Sequence, residues 1–296
     1  MAVELAGFAM DDPIADLYGR HRRSVQPESR AVAAVLEAVA ELLREEGIAP
    51  SPTAVFAATM SSLERADAAS SPEQTSAMLT VLGAALEHAP TAPILSRVPA
   101  SMKVLMAVGK ASQESQHALR GVVHCVGLLV ATLRDAPSDA IVLEQWSHCA
   151  KAFSAISNLC VDARPKVRKQ AAASVAHALR AIRGTPAAEP AGAAFASVAV
   201  KAARAPEDAA HELSRTRGAA GAKAAEREAH AAATEALHLL GALKTIVGEI
   251  AEPSAGATAK AVTRLLDLHE PLLTQHACDV LMTLFAPTGA SAAAAK

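Results

Sequence analysis

The densest cluster of groups able to do chemistry in this 296-residue sequence is Arg164, Lys166, Arg168 and Lys169, four cations within six positions. Guanidinium and ammonium groups at this density meet phosphates or carboxylates. Two tasks divide them. Arg168 is expected to reach an acidic residue such as Asp162, in its own or a neighbouring repeat, and so to fix how helices stack. Arg164, Lys166 and Lys169 are expected to lie exposed along one edge and to meet phosphates or an acidic partner segment. The chain has one Trp, one Tyr and five Phe, too few for base-stacking platforms, so any RNA contact would run through the phosphate backbone and weaken with salt. His21, Arg22 and Arg23, and the group Arg215, Arg217, Lys223 and Arg227, read as solvated surface.

Other candidate chemistry dissolves on its spacing. His124/Cys125, His148/Cys149 and His276 near Cys278 offer imidazole and thiolate, the ligand pair that suits zinc. Adjacent helical residues point about 100° apart, so each pair can send one side chain at most to a shared site, and there is no Cys-x-x-Cys clamp. Core histidines and buried thiols are the better account, and burial raises a thiol's pKa, the opposite of what a nucleophile needs. His211 and Glu212 lack a second histidine one turn on. Gly218, Gly221 and Lys223 miss the spacing of a phosphate loop and the strand before it, and there is no Gly-x-Ser-x-Gly elbow. No catalytic residue, metal, cofactor or small-molecule substrate is expected, and the protein reads as a non-enzyme.

Composition says what must carry the cationic edge. The chain is 51% hydrophobic but only 2% aromatic, rich in Ala and Leu and poor in β-branched runs, which favours closely packed helices over sheet. A formal charge of −2 excludes a global pull toward nucleic acid or anionic membrane, so such contacts must come from local patches. Four dispersed cysteines in apolar stripes imply reduced, buried thiols. With no basic n-region and no run of eighteen apolar residues, a soluble intracellular protein without membrane contact is expected.

The elements follow from punctuation. Pro165 suits a first helical turn because its missing N–H would be unpaired there anyway, and Asp162 can cap just before it. From there Val167, Ala171, Val175, Ala178, Leu179 and Ile182 form a stripe of helical period. The same reading predicts helices over about 13–23, 28–47, 52–66, 72–89, 94–111, 115–134, 139–161, 165–183, 190–204, 224–250, 255–268 and 271–286. Pro165, Val167 and Ala171 share their spacing with Pro271, Leu273 and Ala277, each set after an Asp, and Pro72 after Asp67 is a looser copy. Pairing 52–66 with 72–89, 94–111 with 115–134 and 139–161 with 165–183, followed by two later pairs, gives units of roughly 40 to 47 residues. Such pairs bury their stripes only by stacking, which predicts an all-α fold, an α-solenoid of HEAT/armadillo-like repeats. The expected organisation is an N-terminal segment with a short helix over 1–27, the solenoid over 28–286 with an inserted mobile loop at 205–223, and a low-complexity tail at 287–296.

The order of motifs resembles the ribosomal RNA-processing protein 12 family of HEAT-repeat assembly factors. The likeness rests on ESRAVAAVLEAVAELLREEG (Glu28 to Gly47), the Ala57 to Leu79 region, LCVDARPKVRKQAAA (Leu159 to Ala173), EALHLLGALKT (Glu235 to Thr245) and LHEPLLTQHACDVLMTLF (Leu268 to Phe285), collinear over residues 20 to 286. The resemblance implies the N-terminal repeats of a non-enzymatic scaffold in ribosome biogenesis and rRNA processing, located in the nucleolus and nucleus. Its implied partners are pre-ribosomal particles, RNA and assembly proteins, during small-subunit maturation and export. Arg164, Lys166 and Lys169 are then the expected RNA- or partner-binding residues. The rival expectation is a generic protein-interaction solenoid, a transport or trafficking adaptor gripping a peptide or helix on its concave face.

Overall fold

In the computed structural model, residues 7–8, 12–66, 71–215 and 222–285 are described, and among them there are helices, turns and no strand. Chain contacts divide the protein into two compact units, residues 1–153 and 154–296. The first holds α1 (Pro13–Arg22), α2 (Pro27–Glu45), α3 (Pro52–Arg65), α4 (Pro72–His88), the short α5 (Thr91–Leu95), α6 (Val98–Ala111), α7 (Gln116–Ala131) and most of α8 (Asp139–Asn158). The second holds the end of α8, α9 (Pro165–Ala181), α10 (Ala188–Arg215), α11 (Ala222–Ile246), α12 (Ser254–Arg264) and α13 (Pro271–Phe285).

Proline does the punctuating. α1, α2, α3, α4, α9 and α13 all open on it, where a missing N–H leaves nothing unpaired. Side-chain caps add to this at α1, α3 and α7, where Asp12, Ser51 and Ser115 accept from the backbone N–H groups of Ile14, Ala54 and Ala118. Helix ends tighten into single 3-10 turns at Thr132–Asp135, Leu159–Val161, Val247–Glu249 and Leu265–Leu268. After α2 the chain turns at Gly47, whose φ of +66° an L side chain would resist, and Ile48 N–H donates back to Leu43 O.

Packing within each unit has the two-layer logic of helical repeats. In the first, α2, α4 and α7 touch in succession, while α3 packs on α4 and on α6. In the second, α9, α11 and α13 touch in succession, while α10 packs on α11 and α12. The protein is therefore an all-α solenoid of HEAT-like pairs, and the paired stripes make its core, with Leu79, Leu82, Leu105, Leu129, Phe195 and Leu239 fully buried. Residues 116–135 have the length and hydropathy of a membrane span, yet they form the core helix of the first unit, most of it buried against its neighbours. Helices α4 and α7 meet with little between them: Gly121 lies against Leu79, Gly83 against His124, and Cys125 Sγ donates to Leu79 O at 3.4 Å.

Three expectations are corrected. The single helix expected over 94–111 is α5 and α6, broken at Ser96 and Arg97, because Pro99 restricts the residue before it and supplies no N–H. The expected mobile loop is helical over 205–215, where α10 runs on to Arg215, and helical again from Ala222; residues 216–221 and the expected tail 287–296 lie outside the described residues. Pro206 lies inside α10, buried on the stripe formed by Ala199, Ala202, Ala203 and Ala209, where it leaves the helix one backbone hydrogen bond short. Cys278, expected buried, is exposed on α13, whereas Cys125, Cys149 and Cys160 are buried.

Candidate functional site

The turn from the end of α8 into α9 places the four clustered cations. Asp162 follows the Leu159–Val161 turn, and its Oδ1 accepts the backbone N–H of Arg164 at 2.8 Å. That local ring aims the carboxylate at the Arg164 guanidinium, which donates Nε to Oδ1 at 2.9 Å and Nη2 to Oδ2 at 2.8 Å. The pair is largely withdrawn from solvent, with side-chain exposures of 31% for Arg164 and 14% for Asp162. Arg168, one turn into α9, donates Nη1 to the main-chain oxygens of Asp162 at 2.7 Å and Ala163 at 2.9 Å. So Arg168 does reach Asp162, but at its carbonyl; the carboxylate is occupied by Arg164. Carbonyls left open where a helix ends are acceptors a guanidinium can satisfy.

Behind the turn, His238 of α11 sets Nδ1 3.4 Å from Val161 O, and since a carbonyl only accepts, that nitrogen carries the proton. Burial, aided by the charge of Arg168, pushes the His238 imidazole below its ordinary pKa and keeps it neutral. Asp162, Arg164 and Arg168 thus fix the turn into α9, and His238 joins that turn to α11. Lys166 and Lys169 stand apart. Three residues apart on α9, they share a face, are exposed, and make no ion pair among the described residues.

The Arg164 hydrogen bond holds the Asp162 carboxyl below the usual carboxylate range. A depressed folded pKa adds stability that is complete above the unfolded value of about 3.9 and is lost as pH falls through the folded one. Asp162→Asn, which keeps an acceptor for the Arg164 N–H, is expected to cost about 1 kcal/mol at pH 7. Urea unfolding should show that difference shrinking below about pH 4; a pH-independent difference would count against the ionic pairing.

A family model described as RRP12-like, N-terminal HEAT repeats matches residues 6–291. The chain belongs to the RRP12-like N-terminal HEAT-repeat family. A protein named RRP12-like protein from Gallus gallus is 30% identical over 155 residues, 51% of this chain and 11% of that protein. One of the same name from Homo sapiens is 26% identical over 264 residues, 86% of this chain and 18% of that protein. The chain therefore spans less than a fifth of the length of these curated relatives. A crystal structure of an engineered protein aligns with 92% of this chain and 96% of its own, at 14% identity and a TM-score of 0.41.

Within this RRP12-like array, two ion-pair sets were not singled out from sequence. Arg180 and Arg183, at the end of α9, both bind Glu249 at the end of α11, at 2.8 and 2.6 Å, and Arg183 also donates to Gly248 O. Lys244 of α11 donates to Asp279 of α13 at 2.7 Å and lies 3.0 Å from His276 Nδ1. These join second helices of successive pairs, with partners 65 or more residues apart in the first case and 32 or more in the second.

The histidine and cysteine pairs do not converge. Nor are the histidines the core residues expected: His124 is part-exposed and faces Glu87 at 3.3 Å, His148 is exposed, and His276 belongs to the part-exposed Lys244 set. Burial pushes the Cys149 and Cys160 thiols up to about 12 and Cys125 higher still. Among the described residues no group of three His, Cys, Asp or Glu is placed to hold a metal ion.

Proposed function

We propose that this RRP12-like array is a non-enzymatic scaffold of ribosome biogenesis, acting in the nucleolus and nucleus on pre-ribosomal particles during small-subunit maturation and export. It works by presenting fixed surfaces to RNA or assembly proteins, and Lys166 and Lys169 are its phosphate-facing edge. The observation that carries the site is the contrast within one turn: Arg164 and Arg168 are engaged with Asp162 and the adjacent carbonyls, whereas Lys166 and Lys169 are exposed on one face. Family membership over nearly the whole chain supports the biogenesis role. Arg164 belongs to the site as the residue that fixes the turn from which both lysines project, with its charge shared with Asp162.

The test is a charge reversal at the two exposed positions. Lys166→Glu with Lys169→Glu is expected to weaken association with small-subunit precursor RNA about tenfold, as removal of two phosphate-neutralising ammonium groups requires, with the deficit growing as salt falls. Its melting temperature should stay within a degree or two of wild type, because neither side chain is buried. Crosslinking followed by RNA sequencing reads the association, and unchanged recovery would sink the lysine edge. Absence of both precursor RNA and nucleolar enrichment in wild type would sink the biogenesis role and favour a generic adaptor.

A further inference from the structure

The first unit carries a surface of opposite character, independent of the lysine edge. A cavity of about 660 Å³ opens where α1 and the starts of α2, α4 and α7 come together. Its rim carries Glu28 from the first turn of α2, Glu73 from the first turn of α4 and Glu114 from the residue before the α7 cap. No Lys or Arg lines it, and none of the three carboxylates has an ion-pair partner among the described residues.

Helix dipoles account for an acid near each of these N-termini. They do not account for what lies beneath. Ser112, only 3% exposed, lines the cavity with its hydroxyl unpartnered, and His21 lines it with Nδ1 buried and unpartnered. Burial, with the charge of Arg20 adding to it, pushes the His21 imidazole below its ordinary pKa, so it stays neutral and able to accept a hydrogen bond. A buried hydroxyl without a partner is costly, and a ligand that supplies donors relieves it.

The three carboxylates do not converge on one point, since no three such groups among the described residues are placed to hold a metal ion. The complementary cation is therefore extended. Val32, Pro72 and Ala77 give the cavity an apolar lining, which suits the methylene stem of a long cationic side chain. Several separated acceptors suit guanidinium, with five N–H donors in a fixed fork, better than ammonium.

We propose that this cavity binds an arginine-bearing, unstructured segment of a partner protein, with guanidinium groups on the Glu28, Glu73 and Glu114 rim and donors reaching Ser112 and His21. The acids recur at intervals of 45 and 41 residues, one per repeat, so the surface is a row that an extended chain can follow.

Fluorescence anisotropy of the full chain with a labelled peptide of five Arg-Gly repeats tests it. Binding should be salt-sensitive and stronger than for the Lys-Gly equivalent. The set Glu28→Gln, Glu73→Gln and Glu114→Gln should weaken it at least tenfold, and Ser112→Ala should weaken the Arg peptide more than the Lys one. Glu46→Gln, Glu64→Gln and Glu144→Gln remove the same charge at other exposed positions of the first unit and should leave binding within twofold. Equal weakening by both sets, no weakening by the first, or no preference for arginine overturns the proposal. Circular dichroism confirms that each variant is folded, and because no RNA is present the result is separable from the lysine-edge test.

Discussion

Phe195→Ala is expected to lower the stability of the second unit by about 3–5 kcal/mol, the range for a buried phenylalanine truncated to alanine. Phe195 is fully buried on α10, which packs against both α11 and α12. The cost should sit high in that range because of what surrounds it along α10: Ala191, Ala196, Ala199, Ala202 and Ala203 are all buried, and side chains of one methyl cannot swing in to fill the space. In a core with so few aromatics, one ring fills volume that the alanines beside it on α10 cannot replace. Phe285→Ala is the control, since that ring is 71% exposed, and its loss should fall within about 0.5 kcal/mol of zero. Because the chain forms two compact units, denaturant unfolding need not be a single transition, and hydrogen exchange across 188–215 localises the effect. Retained protection there in Phe195→Ala would contradict the packing described.

The second large effect is a pair of identical substitutions with opposite signs. A Cβ added at Gly121 would stand 2.7 Å from the Leu79 Cβ and 3.2 Å from its Cδ1, so α7 and α4 must move apart. The atom in the way is fixed to the backbone and no rotamer change removes it. Overpacking of this kind costs about 1–3 kcal/mol, more than the helix propensity of roughly 1 kcal/mol that alanine restores. At Gly241, on α11, a Cβ meets nothing within 4 Å, so Gly241→Ala keeps the propensity gain of about 0.5–1 kcal/mol. The propensity gain is common to both and cancels, so the two variants should diverge by the overpacking cost, about 1–3 kcal/mol, in chemical denaturation. Equal shifts would mean that the α4–α7 approach is looser than the glycine geometry indicates.

Much of the architecture was legible before any tertiary information. Pro13, Pro27, Pro52, Pro72, Pro165 and Pro271 mark helix starts because an absent N–H acts locally, whatever packs around it. Val167, Ala171, Leu273 and Ala277 fall on the core side as their spacing requires, and all are buried. The helix ends misread were those where alanine carries the stripe. Ala199, Ala202, Ala203 and Ala209 are core in α10, yet alanine serves equally as surface filler, so residues 205–215 gave no recognisable pattern. The break between α5 and α6 falls at Ser96 and Arg97, where Pro99 sets a new helix start although apolar residues stand on both sides of the two polar ones.

The candidate sites divide in the same way. The sequence by itself determined that four cations cluster at a helix start, that no metal clamp or nucleophile motif is spelled out, and that the fold class is a helical repeat array. These depend on residue type and on spacing within a turn or two. Only the folded structure decided, within this one turn, that Asp162 takes Arg164 at its carboxylate and Arg168 at its carbonyl, leaving Lys166 and Lys169 exposed. It also decided that Glu249 binds Arg180 and Arg183 from the end of another helix, and that Glu28, Glu73 and Glu114 line one cavity together with Ser112. The physical reason is range. A cap or a missing N–H acts within four residues, whereas the availability of a charge is set by whichever opposite charge or open carbonyl folding brings within about 3 Å of it.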